Sequence, residues 1–148
     1  MNINKILRSG IFLLLLSSAL AIGAREMQAQ SVSKLTVHVT GIRNANGNIR
    51  LALFRDSTFF QAKEVEIDAK AMTAVAVFDK IPPGVYTVQL FHDENRNGKM
   101  DTNFFGMPLE GYGMSNNPKK RMGKPGFDET NFQLNQPEST IEITMVYW

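Results

Sequence analysis

The stretch IPPGVYTVQLFHDENRNGKMD, residues 81–101, decides the fold class and contains the strongest candidate site. Pro82 and Pro83 cannot donate hydrogen bonds to a strand ladder, so they indicate a turn. From Tyr86 to Phe91 alternate side chains point to opposite faces, with tyrosine, valine and leucine sharing one of them. This period of two predicts a half-buried β-strand that follows the turn.

The same alternation recurs along most of the chain and predicts an all-β fold. The first two strands are expected to form a hairpin around Asn44–Gly47, and Asp56–Thr58 is expected to begin a helical turn that reaches Phe60. Six or so strands with almost no helical period predict one antiparallel immunoglobulin-like or transthyretin-like sandwich with one long loop. The predicted strands cover residues 34–40, 49–53, 64–68, 72–78, 86–91 and 141–147.

The N-terminal residues 1–29 are typical of a secretory signal peptide. Lys5 and Arg8 precede the apolar run 11–16, and small residues follow it. The apolar part is shorter than the ~20 residues that a spanning helix needs, so we expect no membrane span after the leader is removed. Cleavage is expected after one of three alanines, Ala21, Ala24 or Ala29.

Removal of this leader changes the charge of the protein. A cut after Ala29 takes away three of the 16 basic and one of the 14 acidic side chains, which leaves 13 of each. A net charge of zero gives no reason to expect a nucleic-acid partner. We expect a single domain over residues 30–148, exported to the periplasm or the cell surface. Since it has no cysteine, its stability must come from a packed core, helped by a bound ion.

The stretch from Asp93 to Asn131 lacks a strand pattern, and loops of this length are usually functional or disordered. At the beginning of this stretch, the spacing of oxygen-bearing side chains matches positions 1, 3, 5 and 9 of an EF-hand-type calcium loop. Glycine occupies position 6, and position 7 would contribute its backbone carbonyl. Position 12 is Phe104 instead of glutamate, so a further ligand would come from Glu110 or Asp128. The predicted calcium ligands are Asp93, Asn95, Asn97, Lys99 through its carbonyl, and Asp101.

Three kinds of function are compatible with this loop. The first is a non-enzymatic module that calcium orders and that presents a surface to a glycan or a cell-surface protein. The second is a metal-assisted hydrolase that uses His92, Asp93 and Glu94. The third is a purely structural module in which the loop side chains make Asx-turns with their own backbone. We expect Phe105 and Tyr112 to be buried anchors of the loop, in preference to exposed rings that stack on a sugar.

The combination of leader, Asn-Gly segment, IPPGVYTVQLFHDENRNGKMD, FFGMPLEGYGMSNN and GKPGFDETNF resembles domain of unknown function 2141, a secreted bacterial family. The resemblance extends from about Leu35 to Tyr147, and it implies a secreted β domain without an established activity. The PPGVYTV turn is similar to that of transthyretin-like and carboxypeptidase-regulatory-like sandwiches. DENRNGKMD is similar to the calcium loops of surface-protein B repeats, which implies ligand roles for Asp93, Asn95, Asn97 and Asp101.

Overall fold

The computed structural model describes residues 32–119 and 123–148. The predicted leader, residues 1–29, lies outside the described residues. Within them the chain is all-β, as predicted: eight strands form two sheets, and one helical turn lies between two strands of the larger sheet. The elements are β1 Ser33–Thr40, β2 Asn48–Arg55, β3 Thr58–Val65, β4 Ala74–Ile81, β5 Gly84–Asp93, β6 Tyr112–Met114, α1 Phe127–Thr130, β7 Phe132–Leu134 and β8 Glu138–Thr144.

The two sheets differ in size and in strand direction. The smaller sheet has the order β4-β1-β8, and the larger has the order β3-β2-β5-β6, with β7 also paired to β5. Every pair in the larger sheet is antiparallel, but β1 and β8 run parallel, from Lys34 beside Glu138 to Thr40 beside Thr144. The prediction of a purely antiparallel fold is therefore wrong for this pair. A parallel pair needs a long crossover, and the chain between β1 and β8 supplies it.

One apolar core lies between the sheets. Leu35, Val37 and Val39 of β1 are fully buried, and the side chains of β2 and β5 that were predicted to face inward meet them. The alternating pattern predicts the buried face of each of these strands because the period of a strand is two. The inward side chains of the larger sheet are Ile49, Leu51, Leu53, Tyr86, Val88 and Leu90.

The predicted hairpin between the first two strands does not form, because β1 and β2 belong to different sheets. Each strand turns an apolar face to the shared core, and the connection between them carries the chain from one sheet to the other. Gly47 in this connection has a φ of 71°, and a Cβ there would lie 1.8 Å from the carbonyl oxygen of Asp93. The glycine thus permits the close approach of the connection to the end of β5.

The hairpin lies one connection later, between β2 and β3. Asp56 and Ser57 have positive φ values of 46° and 66°, and Arg55 pairs with Thr58. A two-residue turn with two positive φ angles matches the twist of the strands that it joins, so the predicted helical turn at this position is wrong. β3 forms the edge of the larger sheet, as expected for an edge strand, but it begins at Thr58 rather than at Glu64.

The stretch from Asp93 to Asn131, whose sequence shows no strand pattern, contains β6 and α1, and β7 follows it directly. The two strands have only three residues each, too few for a period to be visible. β6 lies close to the C-terminal segment: a Cβ on Gly111 would lie 2.2 Å from the ring of Tyr147, and one on Gly113 would lie 2.7 Å from Ile143. In the described part of the chain, no helix is long and apolar enough to cross a membrane.

Candidate functional site

The loop that follows β5 is organised by the carboxylate of Asp93. This side chain is fully buried, and its Oδ1 and Oδ2 accept hydrogen bonds from the backbone N–H groups of Asn97 (2.9 Å) and Gly98 (2.8 Å). The guanidinium of Arg50 lies 3.5 Å from Oδ2. Gly98 takes a φ of 78°, which permits the sharp turn around the carboxylate. Asp93 therefore closes the loop by satisfying backbone donors that would otherwise lack partners.

The other predicted ligands are held by hydrogen bonds within the loop. Asn95 Oδ1 accepts from the N–H of Asn97, and Asn97 Oδ1 accepts from the N–H of Lys99, at 3.0 and 2.8 Å. The amide groups of both asparagines donate to the carboxylate of Asp101, at distances from 2.7 to 3.1 Å. These are the Asx-turns of the purely structural hypothesis. The spacing of the motif brings these residues together, and the side-chain oxygens of the asparagines are directed at backbone N–H groups.

Glu110 is the residue that completes this loop. It is buried, and its two oxygens accept hydrogen bonds from the N–H groups of Glu94 and Asp101, each at 3.0 Å. Phe104, at the position expected for a bidentate glutamate, is almost fully exposed. Asp128 lies on the exposed side of α1 and makes no hydrogen bond or ion pair with the loop. Within residues 32–119 and 123–148, no three His, Asp or Glu side chains are close enough to hold a metal ion.

His92 points into the molecule, on the opposite face of β5 from Asp93. Its Nε2 donates to the carbonyl oxygen of Asn46 at 2.6 Å, so that Nδ1 is left to accept from the hydroxyl of Tyr147 at 2.9 Å. The backbone N–H of Arg43 donates to the same hydroxyl. Burial raises the pKa of Tyr147 above its ordinary value. His92 is therefore enclosed, with both ring nitrogens in use.

Glu94 has partners different from those of its two neighbours. Asn44 donates to it at 2.9 Å, and the guanidinium of Arg43 pairs with it while lying over the ring of Tyr147. Burial alone would raise the pKa of Glu94, but the hydrogen bonds from Asn44 and Arg43 and the charge of Arg43 outweigh it, so the pKa is lowered. Arg43 and Tyr147 thus connect the surroundings of His92 and Glu94, whereas the carboxylate of Asp93 is buried in the loop and holds its backbone N–H groups. Both ring nitrogens of His92 and both oxygens of Asp93 already have partners within the protein.

A groove of about 830 Å³ lies on the outward face of the larger sheet. Cross-strand pairing puts Arg50, Phe91 and Tyr112 in one row, and Ala52, Gln89 and Met114 in the next. Its walls come from the long loop and from the end of the chain. The side chains and backbone that border the groove beyond these two rows include Phe54, Ala62, Glu64, Met100, Met107, Pro108, Lys124, Pro125 and Trp148.

Some polar side chains of this outer-face groove have no partner among the described residues. The amide of Gln89, the hydroxyl of Tyr112 and the ammonium of Lys124 make no hydrogen bond or ion pair with any residue of the described part of the chain. Arg50, in contrast, is held by Glu64 at 2.9 Å and by Asp93. The groove thus combines an apolar surface with a few polar groups that are free to bind a ligand, which is the usual composition of a small-molecule site.

A turn at one wall of the groove, residues 102–108, carries two exposed aromatic rings and is called the aromatic tip below. Phe104 and Phe105 are 97% and 85% exposed, with their rings packed edge to face at 5.5 Å. The prediction that Phe105 is a buried anchor is therefore wrong. Asn103 holds the turn from inside, because its side-chain oxygen accepts from the N–H groups of Phe105 and Met107. The phenylalanine rings are not needed as anchors and point outward.

Two residues in the sequence indicate the groove, but the alternation of apolar and polar residues draws attention to the core face of each strand instead. Phe54 and Phe91 occupy positions on the faces of β2 and β5 that point away from the core. A half-buried strand usually has polar residues at such positions, so large aromatic rings there indicate a second apolar surface. The sequence does not indicate that Met107, Pro108 and Trp148 border the groove. Only the folded loop and the C-terminal segment bring these residues to the sheet.

The fold and this surface define a two-sheet β domain with a groove on the outside of its larger sheet. The model of a bacterial family matches residues 37–142, which is more than half of the chain. The chain belongs to this family, which is described as an uncharacterised protein conserved in bacteria, DUF2141. The family expected from the sequence is thus confirmed. No curated protein and no solved structure matches the chain.

Proposed function

We propose that this domain is an exported, non-enzymatic binding module that holds a small amphipathic molecule in its outer-face groove. The observation that carries the proposal is the combination of an apolar groove of about 830 Å³ with the polar side chains of Gln89, Tyr112 and Lys124, which have no partner in residues 32–119 and 123–148. Ligand pockets of about 300–1,000 Å³ typically bury most of a drug-sized ligand.

The composition of the groove suggests the chemistry of the ligand. Met100, Met107 and Met114 border it, and methionine side chains adapt to apolar groups of different shapes. Lys124 offers a positive charge to an anionic head group, while Tyr112 and Gln89 offer hydrogen bonds. An aliphatic chain with a carboxylate at one end would satisfy both the apolar surface and these groups. The proposed ligand is therefore a fatty-acid-like molecule.

Trp148 allows a direct test, because it is the single tryptophan of the chain and it borders the groove. Titration with 11-bromoundecanoate, whose bromine quenches tryptophan fluorescence at short range, should quench Trp148 in a saturable way. Undecanoate, which lacks the heavy atom, should compete without quenching. Absence of saturable quenching at concentrations below micelle formation would contradict the proposal.

Replacement of an alanine by glutamate, at the groove in one variant and away from it in another, gives this titration a test and a matched control. Ala52→Glu places a carboxylate on the floor of the groove, where it should repel both the chain and the head group and abolish quenching. Ala71→Glu adds the same charge at an exposed turn that does not border the groove. It should bind like the parent. Equal quenching in both variants would place the binding elsewhere.

Calcium binding by the loop from Asp93 to Asp101 is a second candidate function, and the position of Glu110 favours it. Glu110 brings a third carboxylate to a loop in which Asp93 is fully buried and Asp101 is half-buried. The donor set is incomplete for calcium as it stands, because side-chain oxygens of Asp93, Asn95, Asn97 and Glu110 all accept from backbone N–H groups. A weak site of the millimolar class, formed by reorientation of these side chains, is what this loop would provide.

Thermal melting in millimolar calcium and in EDTA tests this second candidate. If the loop binds calcium, the melting temperature should rise in calcium, and Asp101→Asn should remove the rise. The same experiment with magnesium controls for ionic strength. Equal melting temperatures in calcium and EDTA would identify the loop as a purely structural unit.

A further inference from the structure

We infer that the aromatic tip, residues 102–108, inserts into the interface of a lipid bilayer. Its two phenylalanine rings are almost fully exposed, and Leu109 beside them is more than half exposed. The largest exposed apolar patch of a soluble protein is often a site of contact with a protein partner or a membrane. This inference concerns a surface separate from the interior of the groove and does not depend on the ligand proposed above.

Most backbone N–H groups of the aromatic tip have acceptors inside the turn. Of the five N–H groups from Asn103 to Met107, only that of Phe104 has no acceptor among the described residues. The acceptors of the other four are the carbonyl oxygens of Met107 and Asn103 and the side-chain oxygen of Asn103, at 2.9 to 3.0 Å. Because lipid chains offer no hydrogen bonds, these internal acceptors lower the cost of bringing the tip to the bilayer interface, where water remains available to the N–H of Phe104.

The charge of the tip also agrees with a lipid partner. Residues 102–109, TNFFGMPL, contain no charged side chain. The nearest acidic groups are already engaged: Asp101 accepts from two asparagines, and Glu110 is buried against backbone N–H groups. The tip therefore enters an apolar phase without burying a charge, which is the largest penalty for membrane insertion.

The size of the tip favours a lipid surface over a folded protein. Two phenylalanine side chains offer roughly 300–500 Å² of contact. A stable protein interface needs about 800 Å² on each side. A projecting turn of seven residues offers less contact area than that. Insertion into the bilayer interface needs only a small apolar surface. A second copy of this chain and a foreign protein are thus the less suitable partners, and the experiment below distinguishes them.

Flotation with phosphatidylcholine vesicles tests the inference. The experiment uses the full chain and the chain that starts at Ser31, which retains both sheets and the whole core. Both should float with the vesicles, and Phe104→Ser/Phe105→Ser should lower the partition coefficient about tenfold or more. Phe59→Ser, which removes another exposed phenylalanine from edge strand β3, should bind like the parent. Because no charge takes part, binding should not change between low and high salt.

A tryptophan in the tip reports its depth. Phe105→Trp in a Trp148→Phe background should shift its emission to the blue on addition of vesicles and be quenched by lipids with brominated acyl chains. The double-serine variant should melt at the temperature of the parent, since both rings are exposed. The inference is overturned if the chain starting at Ser31 does not float, if the double-serine variant floats equally well, or if the variant instead abolishes a dimer seen without lipid.

Discussion

The loop from Asp93 to Asp101 and the outer-face groove lie next to each other and have opposite character. In the loop, the carboxylate of Asp93 and the amides of Asn95 and Asn97 are all hydrogen-bonded within the protein. In the groove, the side chains of Gln89, Tyr112 and Lys124 have no partner among the described residues, and aromatic rings face solvent. The conspicuous motif therefore explains how the end of β5 is held, and the surface with unused groups is the better place for a ligand.

The largest effect on the free energy of unfolding is expected from Asp93→Ala. The substitution leaves the N–H groups of Asn97 and Gly98 without an acceptor and removes a buried partner of Arg50, which should destabilise the fold by about 3 kcal/mol. Asp101→Ala removes an acceptor of the side-chain amides of Asn95 and Asn97 at a half-buried position, and it should cost only about 1 kcal/mol. Urea unfolding in EDTA measures both. Equal costs would mean that the loop is not organised by Asp93.

Tyr147→Phe tests the enclosed histidine. It keeps the ring under Arg43 but removes the hydroxyl that donates to His92 Nδ1 and accepts from the N–H of Arg43. The loss of these two hydrogen bonds should cost about 1–2 kcal/mol in urea unfolding. Tyr112→Phe is the matched control, since its hydroxyl has no partner within the described residues, and it should be neutral. If both variants unfold alike, His92 is not fixed by Tyr147.

Gln89→Leu tests whether a side chain on the floor of the groove contributes to stability or to ligand binding. Because the amide of Gln89 has no partner within the described residues, its loss should change the free energy of unfolding by no more than about 0.5 kcal/mol. The affinity for undecanoate should nevertheless change, since the side chain lies on the floor of the groove. A large loss of stability would show that Gln89 belongs to the framework of the fold.

The smallest effect concerns the dependence of stability on pH. The pKa of Glu94 is lowered in the folded protein, so its ionised form stabilises the fold above the pKa of the unfolded chain, and this contribution disappears as pH falls through the folded value. Glu94→Gln should therefore lose less stability than the parent between about pH 6 and about pH 3. Melting curves at both pH values give the difference. An unchanged pH dependence would mean that Glu94 is not stabilised by Arg43 and Asn44.

The sequence predicts the buried face of each long strand because the period of two is a local property, visible in Leu35, Val37 and Val39. It does not predict which strands pair: β1 and β2 both have an apolar face, and nothing local says that they lie in opposite sheets. The spacing of Asp93, Asn95, Asn97 and Asp101 predicts a tight loop, and the loop exists. The groove depends on the return of Trp148 and Met107 to the larger sheet, which is a long-range contact that no local pattern encodes.

One measurement compares the two regions directly: ¹H–¹⁵N correlation spectra of the protein titrated first with undecanoate and then with calcium. Undecanoate is expected to shift the amide signals of residues on the floor of the groove, such as Ala52, Gln89 and Met114, and to leave those of Asn97 and Gly98 in place. If undecanoate moves no groove signal while calcium moves those of Asn97 and Gly98, the loop is the binding site, and the proposed role of the groove is wrong.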